Sequence, residues 1–438
     1  MMKFDIGLIG IAVMGENLVL NMASKGFSVM AYARRQEKVD EFIQGRAKGT
    51  KIAGTSSLEH LVESLSKPRV VMMMIKAGDP VDQVIEQLIP LLEEGDIIVD
   101  GGNSHYEDSI RRTKYVESKG LYFIGTGVSG GEEGALLGPS IMPGGSRAAW
   151  DRVKPIFQGI AAKTDDGSIC CDWVGDNGAG HFVKMVHNGI EYGDIQLITE
   201  SYHILKDVLG LSADEIGDIF AKWNKTELDS YLIEITAEIL AFKDEDNMPL
   251  VDKILDSAGQ KGTGKWTAVS SLHEGVPLTL IAESVYARIL SSLKDERIFA
   301  SKQFQKPKRI KPQDAAVFIE DVRKALYASK IISYAQGFAL LKEASTTYNW
   351  NLNFGEIALM WRGGCIIRSV FLDKIKEAYD NNPNLANLIL DDYFNKTMDD
   401  LTSSWRNVVA SAVLSGIPIP SMSSGLAYFD GYTTETLP

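Results

Sequence analysis

Phe4-Asp5-Ile6-Gly7-Leu8-Ile9-Gly10-Ile11-Ala12-Val13-Met14-Gly15 decides the fold. The first half is a short apolar run of strand character, and the second half opens a helical pattern that continues to Ser24. The glycines fall at the join. Gly10, Ala12 and Gly15 occupy the three glycine places of the dinucleotide-binding fingerprint, with alanine in the second. Gly10 allows a tight turn, and Gly15 lets helix and strand pack closely. The helix start then offers backbone N–H groups and a positive dipole end to a pyrophosphate.

Strand character recurs at Ser28–Ala33, Val70–Ile75, Asp96–Asp100 and Leu121–Gly125, with helical patterns between. That alternation predicts βαβ crossovers on a mostly parallel sheet. The character changes at Gly175-Asp176-Asn177-Gly178-Ala179-Gly180, a cluster of turn formers. Beyond it, helical patterns dominate at 181–210, 212–222, 224–243, 279–294, 312–345 and 398–415. The expected fold is an α/β Rossmann-like dinucleotide-binding domain over residues 1–177, followed by a large all-α domain over 178–438.

Composition narrows the function. The 438 residues carry 45 Lys and Arg against 58 Asp and Glu, a net charge of -13. No nucleic acid or membrane partner is expected, because either needs a basic surface. A local pocket of cations for an anionic small molecule stays compatible with this balance. Three cysteines, two of them the adjacent Cys170 and Cys171, make no disulfide framework and no zinc spacing, so no metal is expected. The run Val70–Ile75 is too short to span a bilayer, and Met1-Met2-Lys3-Phe4-Asp5 leads into a strand without a signal-like stretch. A cytoplasmic chain is expected.

The end of the second strand selects the dinucleotide. An acid there accepts hydrogen bonds from the ribose hydroxyls of NAD, but this chain has Ala33-Arg34-Arg35 and no acid before Glu37. Two guanidiniums suit a 2′-phosphate, so NADP is the expected cofactor.

A second constellation carries chemistry. On a helix, Lys184, His187, Asn188 and Glu191 stand at i, i+3, i+4 and i+7, one face with a potential base and a potential acid. Spacing alone fits a solvated polar face equally well. Three glycine-bearing segments shift the balance. Gly101-Gly102-Asn103-Ser104 and Gly125-Thr126-Gly127-Val128-Ser129-Gly130-Gly131 follow strands as donor-rich loops, where open α/β sheets bind ligands. Asp256–Trp266 reads as a glycine-rich turn able to approach an anion, without Walker P-loop spacing.

With these segments in hand, the chain resembles the 6-phosphogluconate dehydrogenase family over essentially its whole length. KMVHNGIEYGDI (Lys184–Ile195) and ILDSAGQKGTGKW (Ile254–Trp266) are its most specific blocks, beside GTGVSGGEEG (Gly125–Gly134) and WRGGCIIRS (Trp361–Ser369). The wider 3-hydroxyacid dehydrogenase group shares the dinucleotide fold, a loop like 127–131 and the helix lysine, but not the 254–266 block.

The resemblance implies an NADP-dependent oxidoreductase of the pentose phosphate pathway and gluconate utilization. It would oxidatively decarboxylate 6-phosphogluconate to ribulose 5-phosphate, with Lys184 as general base and Glu191 as general acid. Asn103, Ser129, Gly130, Gly131, His187, Asn188 and Tyr192 would contact the sugar acid, and Lys261, Thr263 and Arg288 its phosphate end. Gly10, Ile11, Ala12, Val13, Met14 and Gly15 would hold the cofactor, with Ala33, Arg34, Arg35, Ile75, Lys76, Ala77 and again Asn103. It also implies a homodimer. Two departures stand out. Ala33 and Arg35 replace the family's usual Asn and Thr or Ser, which keeps NADP preference as the expectation and dual specificity as the alternative. The sequence stops at Leu437-Pro438, where the family continues with a tail that lends an arginine and a histidine to a neighbouring subunit's substrate. A chain ending there is expected to bind substrate more weakly. The competing readings are a non-decarboxylating 3-hydroxyacid dehydrogenase and an NADPH-binding regulatory protein.

Overall fold

Eight strands form one sheet in order β3-β2-β1-β4-β5-β6-β7-β8. They are β1 (Ile6–Ile9), β2 (Val29–Tyr32), β3 (Ile52–Thr55), β4 (Val70–Met73), β5 (Ile97–Asp100), β6 (Tyr122–Val128), β7 (Ile141–Gly145) and β8 (Gly175–Asp176). All neighbours pair in parallel except β6 and β7, which are antiparallel. The strand order reverses between β1 and β4, the place where a doubly wound sheet opens a crevice for a ligand. The computed structural model describes residues 3–260 and 262–438.

Both faces of this sheet are covered, so its central strands are apolar save for Asp100 at the end of β5, and the pleat sorts their residues by parity. Leu8, Val70, Met72, Ile97 and Val99 point to one face, against Leu18 and Met22 of the helix Val13–Ser24 and Val153 and Phe157 of the helix Trp150–Ile160. Ile9, Val71, Met73, Ile98 and Phe123 point to the other. There they meet Leu61, Ile85 and Val116 from the helices Leu58–Glu63, Asp79–Leu88 and Tyr106–Glu117.

Two compact units divide the chain: Met1–Met185 with Tyr348–Arg368, and Val186–Thr347 with Ser369–Pro438. The composition change at 175–180 suggested a single crossing at 177/178. The structure instead gives the first unit the opening turns of the helix Ala179–Leu209 and a distant segment that contains the short helix Phe354–Met360. Hydrogen bonds explain that return. Ser140 Oγ donates to the Met360 carbonyl at 2.7 Å, and Ser140 N–H donates to the Gly364 carbonyl at 2.8 Å. Trp361 is fully buried, with its indole N–H 3.4 Å from Met142 Sδ. Helical periodicity cannot report which unit a short helix packs on.

The strands expected from sequence are present, but β3, β7 and β8 were not expected. Gly54 breaks the apolar signal of β3 because a side chain there would meet Ile43 at 2.9 Å. In β7, Pro143-Gly144-Gly145 reads locally as a turn. The first unit also holds Cys170, Cys171 and Cys365, all buried free thiols. Burial pushes Cys170 up to about 11, Cys365 up to about 12 and Cys171 well above the usual range.

The second unit is helical. The helix Ala315–Thr347 is buried all round from Ala325 to Phe338, the pattern of a central core helix. Inside this unit, Lys330 Nζ donates to Asp194 Oδ2 at 2.7 Å and Tyr334 Oη donates to the same oxygen at 3.2 Å. Burial raises the Asp194 pKa, with Lys330 opposing. No helix among the described residues is long and apolar enough to cross a membrane.

Glu200 ties the helix Ala179–Leu209 to the helix Pro420–Tyr432. Its carboxylate accepts the N–H groups of Ser421 at 2.8 Å and Met422 at 2.9 Å. Burial outweighs these bonds and raises its pKa from 4.5 to about 7, with Glu283 adding to the rise. The folded chain therefore keeps a proton that the unfolded chain has lost between those two values. The stability this group contributes is full below the lower value and is lost as pH rises through the higher one. In denaturant titrations from pH 5 to 8, Glu200→Gln is expected to gain on the unaltered chain, by up to about 3 kcal/mol at the top of the range.

Candidate active site

A cleft of about 470 Å³ opens at the carboxyl ends of β1, β2 and β4. Its lining includes Gly10, Ile11, Ala12, Ala33, Arg34, Arg35, Ile75 and Lys76, as the sequence suggested. Gly10 has φ +108, and a side chain on it would overlap the Met74 carbonyl. A side chain on Gly15 would overlap the Gly10 carbonyl, so both glycines are required for close backbone approach. Ala12 sits extended at the start of the helix Val13–Ser24 and gives it no side-chain cap, which leaves first-turn N–H groups for a bound anion. Val13, Met14 and Ala77 lie outside the lining, with Val13 exposed and Met14 half-buried.

Lys38, Tyr32, Gln83 and Gln87 also line the cleft and were missed. The signal for Lys38 was available: it stands four residues after Arg34, on the first turn of the helix Gln36–Gln44. The described lining carries four cations (Arg34, Arg35, Lys38, Lys76) and no carboxylate. Residues of this kind fit a dinucleotide with an extra phosphate better than one without.

Asn103 is exposed on the loop after β5. The segment 125–131 is less of a loop than expected, since β6 runs on to Val128 and a helix starts at Gly131. Only Ser129 and Gly130 connect them, with Gly130 at φ +107 and Gly131 at φ +62. Gly125 and Gly127 face the helix Ala179–Leu209. A side chain on Gly125 would lie 2.8 Å from His181 Nδ1, and one on Gly127 would overlap Lys184 Cβ. Gly180 extends the seam, because a side chain on it would overlap the Gly125 and Met142 carbonyls. These glycines serve helix–strand approach, and they set Lys184 against β6. His181 is buried, with Nδ1 2.6 Å from Ser109 Oγ, and burial lowers its pKa.

Farther along the same helix, within the second unit, His187 and Asn188 are buried and Glu191 is half-buried. His187 Nδ1 lies 3.0 Å from Asn188 Oδ1. Tyr192 is buried against Gly264, whose side chain would come within 2.6 Å of its ring carbons. The Arg288 guanidinium sits 3.8 Å from the Tyr192 ring centroid, and its Nη1 donates to the Gly259 carbonyl at 3.3 Å. The expected turn at 256–266 ends as a helix, Thr263–His273, with Gly262 at φ +100 before it. Thr263 thus opens a helix near Tyr192 and Arg288, a corner suited to an anion. Lys261 lies outside the described residues.

Residues 5–175 match the family model for the NAD binding domain of 6-phosphogluconate dehydrogenase, and residues 180–438 match the model for its C-terminal domain. The chain belongs to the 6-phosphogluconate dehydrogenase family. It is 60% identical over 439 residues to the decarboxylating 6-phosphogluconate dehydrogenase of Homo sapiens, covering 100% of this chain and 91% of that one. The Haemophilus influenzae protein of the same name is 61% identical over 436 residues, covering 100% and 90%. Plasmodium falciparum 6-phosphogluconate dehydrogenase, solved as apo protein and in complexes with its cofactor NADP+ and its substrate 6-phosphogluconate, superimposes with a TM-score of 0.96. It is 47% identical, and the match covers 99% of this chain and 94% of that one.

The glycine seam yields a direct test. Gly127→Ala must push the helix off β6 at Lys184, at a cost of about 1–3 kcal/mol for an overpacked contact. A lower melting temperature and at least a tenfold drop in turnover of the family's substrate are expected. Thermal melts and steady-state kinetics check both.

Proposed function

We propose that this chain oxidises and decarboxylates 6-phosphogluconate to ribulose 5-phosphate with NADP as the oxidant. The observation that carries the reading is the cationic, carboxylate-free cleft at the sheet's switch point, in a chain 60% identical to a decarboxylating 6-phosphogluconate dehydrogenase over its full length.

Gly10 to Gly15 would hold the pyrophosphate, Arg34 and Arg35 with Lys38 the 2′-phosphate, and Ile75 to Ala77 with Asn103 the remaining cofactor groups. When bound, NADP supplies the acceptor for a hydride from C3 of the substrate. Lys184 takes the proton of the 3-hydroxyl as that hydride leaves, so C3 becomes a ketone. This ketone is β to the carboxylate, and the C1–C2 bonding pair can flow into an enolate as CO2 departs. The Lys184 ammonium then returns hydrogen bonding to the oxyanion, where charge develops. Glu191 protonates the former C2, which becomes C1 of ribulose 5-phosphate. Its place seven residues after Lys184 puts both groups on one helix face.

Ser129, Gly130, Gly131, His187, Asn188 and Tyr192 would orient the sugar acid. Arg288, Lys261 and the start of the helix at Thr263 would hold its phosphate. A homodimer belongs to the reading. Supporting it, Tyr286, Leu290, Leu293 and Phe299 of the second unit are large apolar side chains left exposed, the first three following one another at helical spacing. Cytoplasmic location and a place in the oxidative pentose phosphate pathway rest on the family alone.

One assay decides. With 6-phosphogluconate and NADP, reduced cofactor and CO2 should appear in equal amounts, with NADP preferred over NAD. Lys184→Ala is expected to lose at least about a hundredfold in kcat at both products, and Glu191→Ala a similar factor, as for the removal of a general base or acid. Reduced cofactor without CO2 would move the chain to the simple hydroxyacid dehydrogenases.

A further inference from the structure

Arg112 is fully buried on the helix Tyr106–Glu117, behind the cleft, and does not line it. Its guanidinium spends every nitrogen on the first turn of the helix Asp79–Leu88, the Gly78 carbonyl before it, and the end of β5 with its following loop. Nε and Nη2 form a fork on Asp82, at 2.9 Å to Oδ1 and 3.0 Å to Oδ2. Nη2 also donates to the Gly78 carbonyl at 3.0 Å, where the loop after β4 turns into the helix Asp79–Leu88. Nη1 reaches the loop after β5, at 3.3 Å from Ser104 Oγ and 3.4 Å from Asp100 Oδ2.

Asp100 is itself fully buried and completes the second loop. Its Oδ1 accepts the Gly102 N–H at 3.1 Å and its Oδ2 accepts the Ser104 hydroxyl at 2.6 Å. Asn103 is thus bracketed on both sides by groups bonded to Asp100. The two loops also touch: a side chain on Gly102 would come within 2.9 Å of the Ile75 carbonyl. Burial opposes ionisation of Asp82, but hydrogen bonds from Arg112 and Arg111 outweigh it and hold its pKa at about 2. One side of the clamp therefore stays charged throughout the working pH range.

We propose that Arg112 is a positioning residue: it joins the loop Ile75–Gly78 to the loop Gly101–Ser104 from behind, and so sets Lys76 and Asn103 for the ligands without touching either ligand. A lysine cannot replace it, because one ammonium cannot grip Asp82 in two places and still span to Ser104 and Gly78. The proposal rests on the cofactor reading above.

The same sheet supplies a control. At the opposite ends of β4 and β5, Arg69 donates to Asp96 through its backbone N–H at 2.6 Å and through Nη1 at 2.8 Å, and to Glu93 at 3.2 Å. It is a buried arginine network of similar size, away from the cleft. Arg112→Lys and Arg69→Lys should both lower the melting temperature. Only Arg112→Lys should weaken NADPH binding, followed by nicotinamide fluorescence, by about tenfold, the usual scale for a supporting residue. It should also raise the KM for 6-phosphogluconate more than it lowers kcat.

If Arg112→Lys does not fold, Asp82→Asn tests the same fork and should weaken NADPH binding several-fold. Unchanged NADPH affinity in the folded variant, or equal weakening by Arg69→Lys, would overturn the clamp and leave the cofactor reading standing. Failure of the unaltered chain to bind NADPH would overturn both.

Discussion

The start of one helix lies directly on the backbone of two strands, and the placement of the chemistry follows from that approach. Gly125 and Gly127 of β6, Gly144 of β7 and Gly180 of the helix all lack side chains where the two elements meet. A Cβ on Gly144 would come within 2.5 Å of the Gly180 nitrogen. No larger residue fits at this distance, so the contact specifies its own sequence. What it secures is the height and rotation of the helix above the sheet. Lys184 is one turn beyond His181, and both side chains emerge where β6 offers only hydrogen atoms. A helix held by ordinary side-chain packing would stand about 10 Å off the sheet, with more room to roll.

Buried charge provides a second kind of precision. Each end of β4 and β5 is joined through an arginine and an aspartate, Arg69 with Asp96 at one end and Arg112 with Asp100 at the other. In the helical unit Lys330 and Asp194 meet in the same way. Such pairs add little net stability, because desolvation offsets most of their attraction. Their directional bonds do restrict which arrangements are tolerated, which suits loops whose backbone must meet a ligand at a set distance.

Much of this was legible in the residues. The run Ile6–Gly15 fixed the kind of sheet, since a parallel strand buried on both faces must be apolar and its turn must be glycine. Arg34 and Arg35 were readable because they are local to the fingerprint. Arg112 was not, for a helix arginine among polar neighbours looks solvent-facing until Asp82 and Asp100 close around it. Gly125 and Gly127 were seen but read as part of a loop: a donor-rich loop and a close helix contact demand the same residue for different reasons. Strand β7 escaped because Pro143 and two glycines spell a turn, and its pairing with β6 and β8 is what makes it a strand. Local pattern reports local structure. It is silent where the constraint arrives from another part of the chain.

The three thiols of the first unit have a practical meaning. Cys170, Cys171 and Cys365 are buried, and burial keeps them protonated at neutral pH. Thiolate is the form that peroxides and alkylating reagents attack. The native unit therefore offers such reagents no foothold, and any cysteine that does react marks a moment when its packing, including that of the returning segment 348–368, has opened. The protein carries its own clock for local unfolding, with no label introduced.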